Sequence, residues 1–497
     1  MDAARNDPGE VVVVGAGPVG LVTALLLARH GVRSLVLERH PRPYPLPRAV
    51  HLDDECRRIL QNVGVADGFA RISRPAAGLR LLDARHRTLA EFRRSGADGV
   101  HGHPQASLFD QPDLETLLLE AVSRQPRIRL RRGVRVTGVD AGGGVHWCET
   151  VGGWPGPENN QRTAGVVRAA AVVGCDGAGG VVRQALGSGL RRLAADQNWF
   201  VADLLGDPPV RVWDGVEQIC DPARPATYLR VGERRMRWEF RMRPGETVSG
   251  LTGRLGELLG PWLPGGVGER EVLRTAHYTF RAVVARRWRR GRVLIAGDAA
   301  HLTPPFIGQG LGSGLRDAAN LSWKLALVLH GRAGDPLLDS YQAEREPHAT
   351  ALIRLAVLAG AVMGSPAANV LRPAARAPVL GNRLTDRLLA GTSPPLRSGA
   401  LVPARRPGLV GTLFPQLPLG STTTDDENRL DDLLGPGFAL LTLRDASPAR
   451  IAGRAGRLGA RVIRVPGSGL TVVHRWMTER RCEAVLLRPD RVVLDVT

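Results

Sequence analysis

Three glycines near the beginning of the sequence have the spacing of a phosphate-binding turn. Gly15, Gly17 and Gly20 lie in the segment Gly-Ala-Gly-Pro-Val-Gly, which directly follows four consecutive valines. The first glycine permits a tight turn, the second lets the backbone approach a pyrophosphate, and the third lets a helix pack closely against a strand. The N-terminus of that helix would offer free N–H groups to the phosphates. The spacing therefore predicts a dinucleotide-binding site.

An acidic residue stands where such a site needs one. Glu38 ends the predicted strand from Ser34 to Glu38, a position from which a carboxylate can accept hydrogen bonds from ribose hydroxyls. An isolated glycine pattern is weak evidence, but here a strand, a turn, a helix and a carboxylate follow one another in the expected order. The combination does not distinguish FAD from NAD.

A second glycine-rich segment favours FAD. It begins with Gly297-Asp298, contains His301 and Pro305, and continues through Gly310 into a helical pattern. Here the sequence resembles the class A flavoprotein aromatic hydroxylases. The resemblance implies that Asp298 contacts the ribityl chain of FAD and that the helix begins near the pyrimidine edge of the flavin. A helix N-terminus is partially positive, which favours an anionic reduced flavin.

The same resemblance extends to further positions that contact FAD in relatives. Cys175-Asp176-Gly177 matches an internal Asp-Gly motif of the family, and Arg48 and Gln111 match two loop positions. The complete set of implied cofactor contacts is Gly15, Gly17, Gly20, Glu38, Arg39, Arg48, Gln111, Asp176, Asp298, Pro305, Gly308, Gly310 and Leu311.

The nearest form of the resemblance is the 3-(3-hydroxyphenyl)propionate hydroxylase branch, which is itself similar to hydroxylases of aromatic polyketides. It extends from about residue 10 to the C-terminus and includes matching blocks in the same order, such as His51–Glu55 and Leu338–Gln342. The C-terminal part resembles the thioredoxin-like domain of these enzymes. Cys482 is the one cysteine there, so dithiol chemistry is excluded.

The resemblance implies a monooxygenase reaction. NADH or NADPH would reduce FAD, O2 would add at the flavin C4a position, and the resulting hydroperoxide would hydroxylate a small aromatic substrate. That substrate would be a phenolic ring, either a hydroxyphenylpropionate-like acid or an aromatic polyketide. A Baeyer–Villiger or other oxidative tailoring flavoenzyme is one alternative, and a non-catalytic FAD-binding protein is another.

Aromatic residues of a predicted inserted sheet are the candidates for the substrate pocket: Tyr228, Trp238, Phe240, Tyr278 and Phe280. His277 is the candidate catalytic residue, because imidazole titrates near neutral pH and could assist deprotonation of a phenol. We expect His301 to be structural. Among the other histidines, His51, His101 and His103 are expected in loops or on the surface.

These residues require a fold that is α/β and α+β in class. Alternating strand and helix patterns predict a discontinuous Rossmann-like FAD-binding domain over residues 1–75, 106–190 and 286–350. A β-sheet substrate domain is predicted over 76–105 and 191–285, followed by a helical connection over 351–396. A Pro- and Gly-rich stretch from about Ser393 to Gly420 is predicted to be a linker. The predicted thioredoxin-like domain covers 397–497 and has no CxxC.

Composition excludes several other functions. The net charge is +19, but only one basic residue is a lysine, Lys324, and the arginines are scattered, so we predict no nucleic-acid binding. The apolar run from Val11 to Ala28 is interrupted by the glycine turn, which argues against a membrane segment. Five cysteines without a CxxC pair or metal-ligand spacing indicate the cytoplasm and no metal site. Whether the chain forms a homodimer stays open.

Overall fold

The N-terminal βαβ unit forms as its sequence pattern predicts. The computed structural model describes residues 9–46, 48–94, 98–140, 142–151, 160–208, 213–365, 396, 408–417, 419, 429–444, 448–467 and 470–497. Strand β1 (Val11–Val14) is followed by helix α1 (Pro18–Arg29) and strand β2 (Ser34–Glu38). Pro18 stands in the first turn of α1, where its missing N–H costs no hydrogen bond.

A six-stranded sheet carries this unit. Its other strands are β8 (Ile128–Arg132), β12 (Ala171–Gly174), β20 (Arg289–Arg290) and β21 (Val293–Ile295). The order is β20-β21-β12-β1-β2-β8, and all pairs are parallel except β20 with β21. The carboxyl ends of β1, β12 and β21 therefore meet at one edge, which is where open parallel sheets bind ligands.

Two long helices close this domain. Helix α8 (Gly310–Leu329) packs against α1, and helix α9 (Pro336–Met363) packs against α8. Apolar residues of the parallel sheet and of these helices form one continuous buried core. Residues 351–363 of the predicted helical connection belong to α9. Most of its remainder and most of the predicted linker lie outside the described residues.

A seven-stranded sheet forms the second layer at the site. It contains β5 (Gly78–Asp83), β6 (Thr88–Arg93), β14 (Gln197–Leu205), β15 (Val216–Cys220), β16 (Ala226–Arg230), β17 (Arg235–Arg241) and β18 (Glu271–Phe280). The order is β18-β14-β17-β16-β15-β5-β6, with β18 at an edge. One face packs against the short helices α6 (Val248–Gly253) and α7 (Leu255–Leu259). The other face lines the cavity described below.

The C-terminal part contains a separate mixed sheet. Its strands are β23 (Ala439–Thr442), β24 (Arg461–Arg464), β25 (Ala484–Leu487) and β26 (Val493–Val496), in the order β24-β23-β25-β26. Strands β25 and β26 are antiparallel and form a hairpin around Pro489. Three helices accompany the sheet: α10 (Leu430–Leu434), α11 (Ala449–Leu458) and α12 (Thr471–Glu479). The thioredoxin-like description of this unit remains a prediction.

Buried ion pairs join the C-terminal sheet to the long helices. Arg488 donates to both carboxylate oxygens of Glu344 in α9 at 2.9 Å, and Lys324 in α8 donates to Glu344 at 2.7 Å. All three side chains have no solvent exposure. Removing one charge from such a group would leave the others uncompensated in the interior.

The remaining elements connect these layers. The remaining strands are β3 (His51–Asp53), β4 (Ser73–Pro75), β7 (Ala106–Phe109), β9 (Val134–Val139), β10 (Gly144–Val151), β11 (Asn160–Arg168), β13 (Leu190–Arg192), β19 (Val283–Ala285) and β22 (His301–Leu302). The remaining helices are α2 (Asp54–Asn62), α3 (Ala66–Ile72), α4 (Gln111–Ser123) and α5 (Val181–Ala185). None of the helices in the described ranges is both long and apolar enough to cross a membrane.

Candidate active site

The glycine turn after β1 has three differently constrained positions. Gly15 has φ +101°, and a Cβ there would come within 2.5 Å of the Cys175 carbonyl oxygen. A Cβ at Gly20 would come within 2.0 Å of the Gly15 carbonyl oxygen. At Gly17, by contrast, a Cβ would have no atom of the described residues within 4 Å apart from Gly17 and its two chain neighbours. The outer glycines therefore close the turn, and the middle one faces open space of the kind a pyrophosphate needs.

Glu38 is fixed at the end of β2. Its carboxylate accepts a hydrogen bond from the Ala16 backbone N–H at 2.7 Å and another from the His40 N–H at 2.9 Å. These bonds hold the carboxylate beside the glycine turn. Because a carboxylate oxygen can accept more than one hydrogen bond, Glu38 can still accept bonds from a ribose.

The second glycine-rich segment is held by a buried carboxylate. Asp317 in α8 accepts hydrogen bonds from the Gly297 N–H at 3.0 Å and from Arg345 Nε at 2.8 Å. His301 Nε2 lies 2.7 Å from the same carboxylate. This network accounts for the structural role expected of His301.

Asp298, next to that network, projects into a cavity. Its side chain is exposed there and makes no hydrogen bond to any residue that the structure describes. Loss of hydration inside the protein raises the pKa of Asp298, although the charges of His301 and Arg48 oppose the shift. A carboxylate in such surroundings is stabilised by hydroxyl donors of a ligand.

The cavity has a volume of about 470 Å³ and connects the two glycine segments to the seven-stranded sheet. Its cofactor end is lined by Gly17, Pro18, Arg48, Gln111, Asp298, Pro305, Gly308, Gly310 and Leu311. Gly310 and Leu311 are the first residues of α8, whose initial N–H groups have no partner within the helix. The open turn at Gly17, the unpaired Asp298 and this helix start fit a bound FAD.

Gln111 shapes the wall beside Arg48. Its amide oxygen accepts from the Ala49 N–H at 2.7 Å and the Arg48 N–H at 3.2 Å, and its amide nitrogen donates to Glu115 at 2.7 Å. The Arg48 guanidinium lies over the Tyr44 ring at 4.6 Å. Gln111 therefore holds the loop that brings Arg48 to the cavity.

Besides Gly15, Gly20 and Glu38 of the first glycine turn, two further expected cofactor contacts lie off the cavity wall, Asp176 and Arg39. Asp176 accepts a hydrogen bond from the Val182 N–H at 3.0 Å at the start of α5, while its neighbours Cys175 and Gly177 line the cavity. The exposed Arg39 donates to His40 at 2.9 Å. A contact of either side chain with the cofactor remains a prediction.

The structure divides the expected substrate residues between the two faces of the seven-stranded sheet. Tyr278 and Phe280 line the cavity. Tyr228, Trp238 and Phe240 are buried on the opposite face, against α6 and α7. The expectation for these three residues is therefore corrected: alternate residues of a strand point to opposite faces, and theirs is the face away from the cavity.

The expectation that His277 is a catalytic residue is also corrected by its position. It lies on the edge strand β18, one position from the cavity-lining Tyr278, so it faces the other side. Its side chain is exposed and its Nε2 lies 3.0 Å from Asn198 Oδ1. A role for His277 in deprotonating a substrate in this cavity is not compatible with that position.

Polar residues that the sequence analysis did not nominate occupy the cavity wall. They are His51, Arg94, Gln218, Thr227, Arg237, Glu239 and Thr303. His51, expected in a loop or on the surface, lies at the start of β3 with Nδ1 3.2 Å from the Gly308 carbonyl oxygen. Burial, helped by the nearby Arg94, lowers the pKa of His51 to about 4. The alternation of β16 and β17 would have identified Thr227, Arg237 and Glu239, once the cavity face was known.

An ion-paired group stands at the sheet end of the cavity. Arg237 Nε donates to Asp203 at 2.7 Å, and Arg274 Nε donates to the same carboxylate at 3.0 Å. Arg274 also donates to the Tyr278 hydroxyl at 2.6 Å. Asp203 and Arg237 are 0% and 3% exposed, so the group is a rigid part of the wall.

Comparison with known proteins agrees with this geometry. Residues 9–356 match the family described as FAD binding domain, and residues 411–497 match the HcaD C-terminal domain. A 3-(3-hydroxy-phenyl)propionate/3-hydroxycinnamic acid hydroxylase of Mycolicibacterium smegmatis is 37% identical over 466 residues, covering 90% of this chain and 80% of that protein. A probable NADH-specific resorcinol 4-hydroxylase of Rhodococcus jostii is 34% identical, covering 99% and 94%.

Solved structures show the same likeness over the whole chain. Aklavinone-11 hydroxylase, in a ternary complex with FAD and aklavinone, is 28% identical with a TM-score of 0.78, covering 100% of this chain and 96% of that one. The flavin-dependent monooxygenase PieE, at 24% identity and a TM-score of 0.81, covers 99% and 96% and shares the fold. The chain therefore belongs to the FAD binding domain family, and it is an FAD-dependent aromatic monooxygenase.

Proposed function

We propose that this protein hydroxylates a one-ring phenol, using NADH or NADPH and O2. The observation that supports this most directly is a single cavity whose one end fits FAD and whose other end is lined by apolar, aromatic and polar residues of the seven-stranded sheet. Bound FAD would supply the redox chemistry, namely the transfer of two electrons from the nicotinamide to O2 that would allow one oxygen atom to enter the ring.

Aromatic packing excludes water beside the proposed reaction centre. The Phe280 and Trp199 rings lie 5.4 Å apart, and both contact Phe306, which follows Pro305 in the cofactor loop. Gln218 on β15 donates to the Phe306 carbonyl oxygen at 2.8 Å. These contacts hold the sheet against the cofactor loop, and the exclusion of water from such a site would limit side reactions.

The relatives and the wall favour a one-ring substrate. The hydroxyphenylpropionate and resorcinol hydroxylases, at 37% and 34% identity, are named for one-ring phenols. The aklavinone hydroxylase, a polyketide enzyme by its name, is 28% identical. Arg94 lies on the wall near His51, and its guanidinium can pair with a carboxylate on the side chain of such a phenol.

The test is a panel of phenols offered to the FAD-loaded enzyme. We expect resorcinol or 3-(3-hydroxyphenyl)propionate to stimulate NADH or NADPH oxidation, and the product to gain one atom from isotopically labelled O2. Product labelled only from water would contradict the proposal. Because a Baeyer–Villiger product gains the same mass, mild base treatment distinguishes the two: a ring ester opens, whereas a hydroxylated ring does not.

A further inference from the structure

Glu239 occupies the centre of the sheet wall of the cavity. It lies on β17, and its register partners are Val201 on β14 and Thr227 on β16. All three residues line the cavity, because paired residues of neighbouring strands point to the same face. Glu239 therefore faces the cavity from the middle of the sheet, with ordered strands on both sides.

The Glu239 carboxylate has no partner among the residues that the structure describes. Within the described ranges, the carboxylate makes neither a hydrogen bond nor an ion pair, although the residue is only 9% exposed. Native proteins rarely leave a buried carboxylate without a partner, because such a group loses its hydration without compensation. A bound ligand that donates a hydrogen bond to Glu239 would explain this carboxylate.

The nearby arginine side chains pair with a different carboxylate. Arg237 and Arg274 bind the Asp203 carboxylate, and Arg274 also donates to Tyr278. Burial raises the pKa of Glu239, with Asp203 adding to the shift and the two arginines opposing it. A carboxylate with a raised pKa is a stronger proton acceptor than an exposed one.

We propose that Glu239 accepts the proton of the substrate's ring hydroxyl. This inference rests on the proposed function and names the group that activates the phenol. The O–H bond breaks, the proton moves to a carboxylate oxygen of Glu239, and the electron pair stays on the phenolic oxygen. From there it is delocalised onto the ortho and para carbons, which become more nucleophilic towards the incoming oxygen. The hydroxylated product takes the proton back before it leaves.

The experiment compares Glu239→Gln with Glu217→Gln in the FAD-loaded enzyme. Glu217 is a buried carboxyl of the same sheet, but it bonds to Trp262 on the opposite face at 3.2 Å. With the phenol that the wild type hydroxylates, we expect hydroxylation by Glu239→Gln to fall roughly 100-fold, the usual contribution of a general base. NADH oxidation should continue, so the product formed per NADH should fall. Glu217→Gln should keep the wild-type ratio.

A second measurement observes the proton directly. A nitro-substituted form of the same phenol reports its ionisation by its absorbance, measured as a difference spectrum against the enzyme alone. At a pH one unit below the pKa of the free nitrophenol, the wild type should bind it mainly as phenolate and Glu239→Gln as the neutral phenol. If Glu239→Gln loses its flavin spectrum, Glu239→Asp serves instead, with an intermediate phenolate fraction expected.

Equal phenolate fractions and equal product ratios in the wild type and the Glu239 variants would overturn the role of Glu239 and leave the proposed function standing. A wild type that hydroxylates no phenol would overturn both. If the product formed per NADH fell as far in Glu217→Gln as in Glu239→Gln, the effect would belong to the sheet in general. That result would also overturn the role of Glu239 as proton acceptor.

Discussion

Asp298 and Asp317 are close in sequence, yet their carboxylates have different surroundings. Asp317 is fully buried and accepts bonds from Gly297, His301 and Arg345. Asp298 reaches the cavity without a bond to any described residue. The first carboxylate holds the loop, and the second is available to a ligand.

Replacing Asp298 by Ala should weaken FAD binding by about 10- to 100-fold, because hydrogen bonds to a charged group contribute about 1.5–3 kcal/mol. The dissociation constant can be measured by fluorescence as FAD is titrated into the apoprotein. Cys482→Ala, a change in the C-terminal core, is the control and should retain FAD. Equal affinities of the two variants would contradict the placement of Asp298 at the cofactor.

A substitution at Gly17 should affect FAD binding without affecting the stability of the fold. Because a Cβ placed there meets no described atom within 4 Å beyond its own residue and its two chain neighbours, Gly17→Ala should fold with a nearly unchanged melting temperature. Its methyl group would occupy the space of the pyrophosphate, so FAD affinity should fall by about tenfold or more.

The matched control for Gly17→Ala is Gly256→Ala in α7, which also has open space around its Cβ position and lies away from the cavity. It should bind FAD as the wild type does. A Gly17→Ala enzyme with full FAD affinity would show that the turn does not approach the cofactor.

The sequence predicted the strands and helices that carry these side chains. It predicted less well on which face of the seven-stranded sheet a side chain lies. The pattern from Val11 to Glu38 gave the βαβ unit, since glycine turns and four-valine strands have few alternatives. The sequence pattern could not show which side chains of β17 face the cavity. Both faces of the sheet are covered, so the neighbouring residues Trp238 and Glu239 are both buried. Which face meets the cofactor depends on how the sheet packs against a distant loop, and that is not a local property.

Helix α9 provides a prediction on stability. The charges of Arg488 and Lys324 overcome the effect of burial and lower the pKa of Glu344 to about 2. A carboxyl whose pKa is lower in the folded state stabilises the fold above the unfolded value of about 4.3. That contribution should be lost as the pH falls from about 4.5 towards 2, as urea unfolding at several pH values can measure.

Glu344→Gln should lose about 3–5 kcal/mol near neutral pH, because it removes the carboxylate that pairs with the buried Lys324 ammonium and leaves Asp490 to pair with the Arg488 guanidinium. Its stability should then depend less on pH in the acid range than that of the wild type. Glu346→Gln is the control on the same helix: Glu346 pairs with Arg191 but is 29% exposed, so the expected loss is below about 1 kcal/mol. Similar losses in the two variants would contradict the importance of burial.

At the scale of the whole molecule, one cavity connects the cofactor loops with the sheet wall. A flavin that is reduced freely without substrate would waste nicotinamide and release peroxide, so enzymes of this kind gain from reduction that depends on substrate. Gln218 and Phe306, which tie the wall to the cofactor loop, offer a path for that dependence. We therefore expect the phenol to accelerate reduction by NADH.

Anaerobic stopped-flow spectroscopy measures this directly, by the loss of the flavin absorbance with and without the phenol. We expect at least tenfold faster reduction with the phenol present. A non-reactive compound of similar size that lacks the ring hydroxyl is the control. Equal rates in all three mixtures would remove the claim of substrate control.

The buried group that joins the C-terminal sheet to the long helices also includes the chain's one lysine, Lys324. Its ammonium donates to Asn320 at 2.8 Å and to Glu344 at 2.7 Å, and it has no solvent exposure. An acylating reagent can modify this side-chain amine only after the contact between α8 and the C-terminal hairpin opens. The rate of Lys324 acylation therefore reports how often this contact opens, and mass spectrometry of proteolytic fragments separates it from acylation of the N-terminal amine.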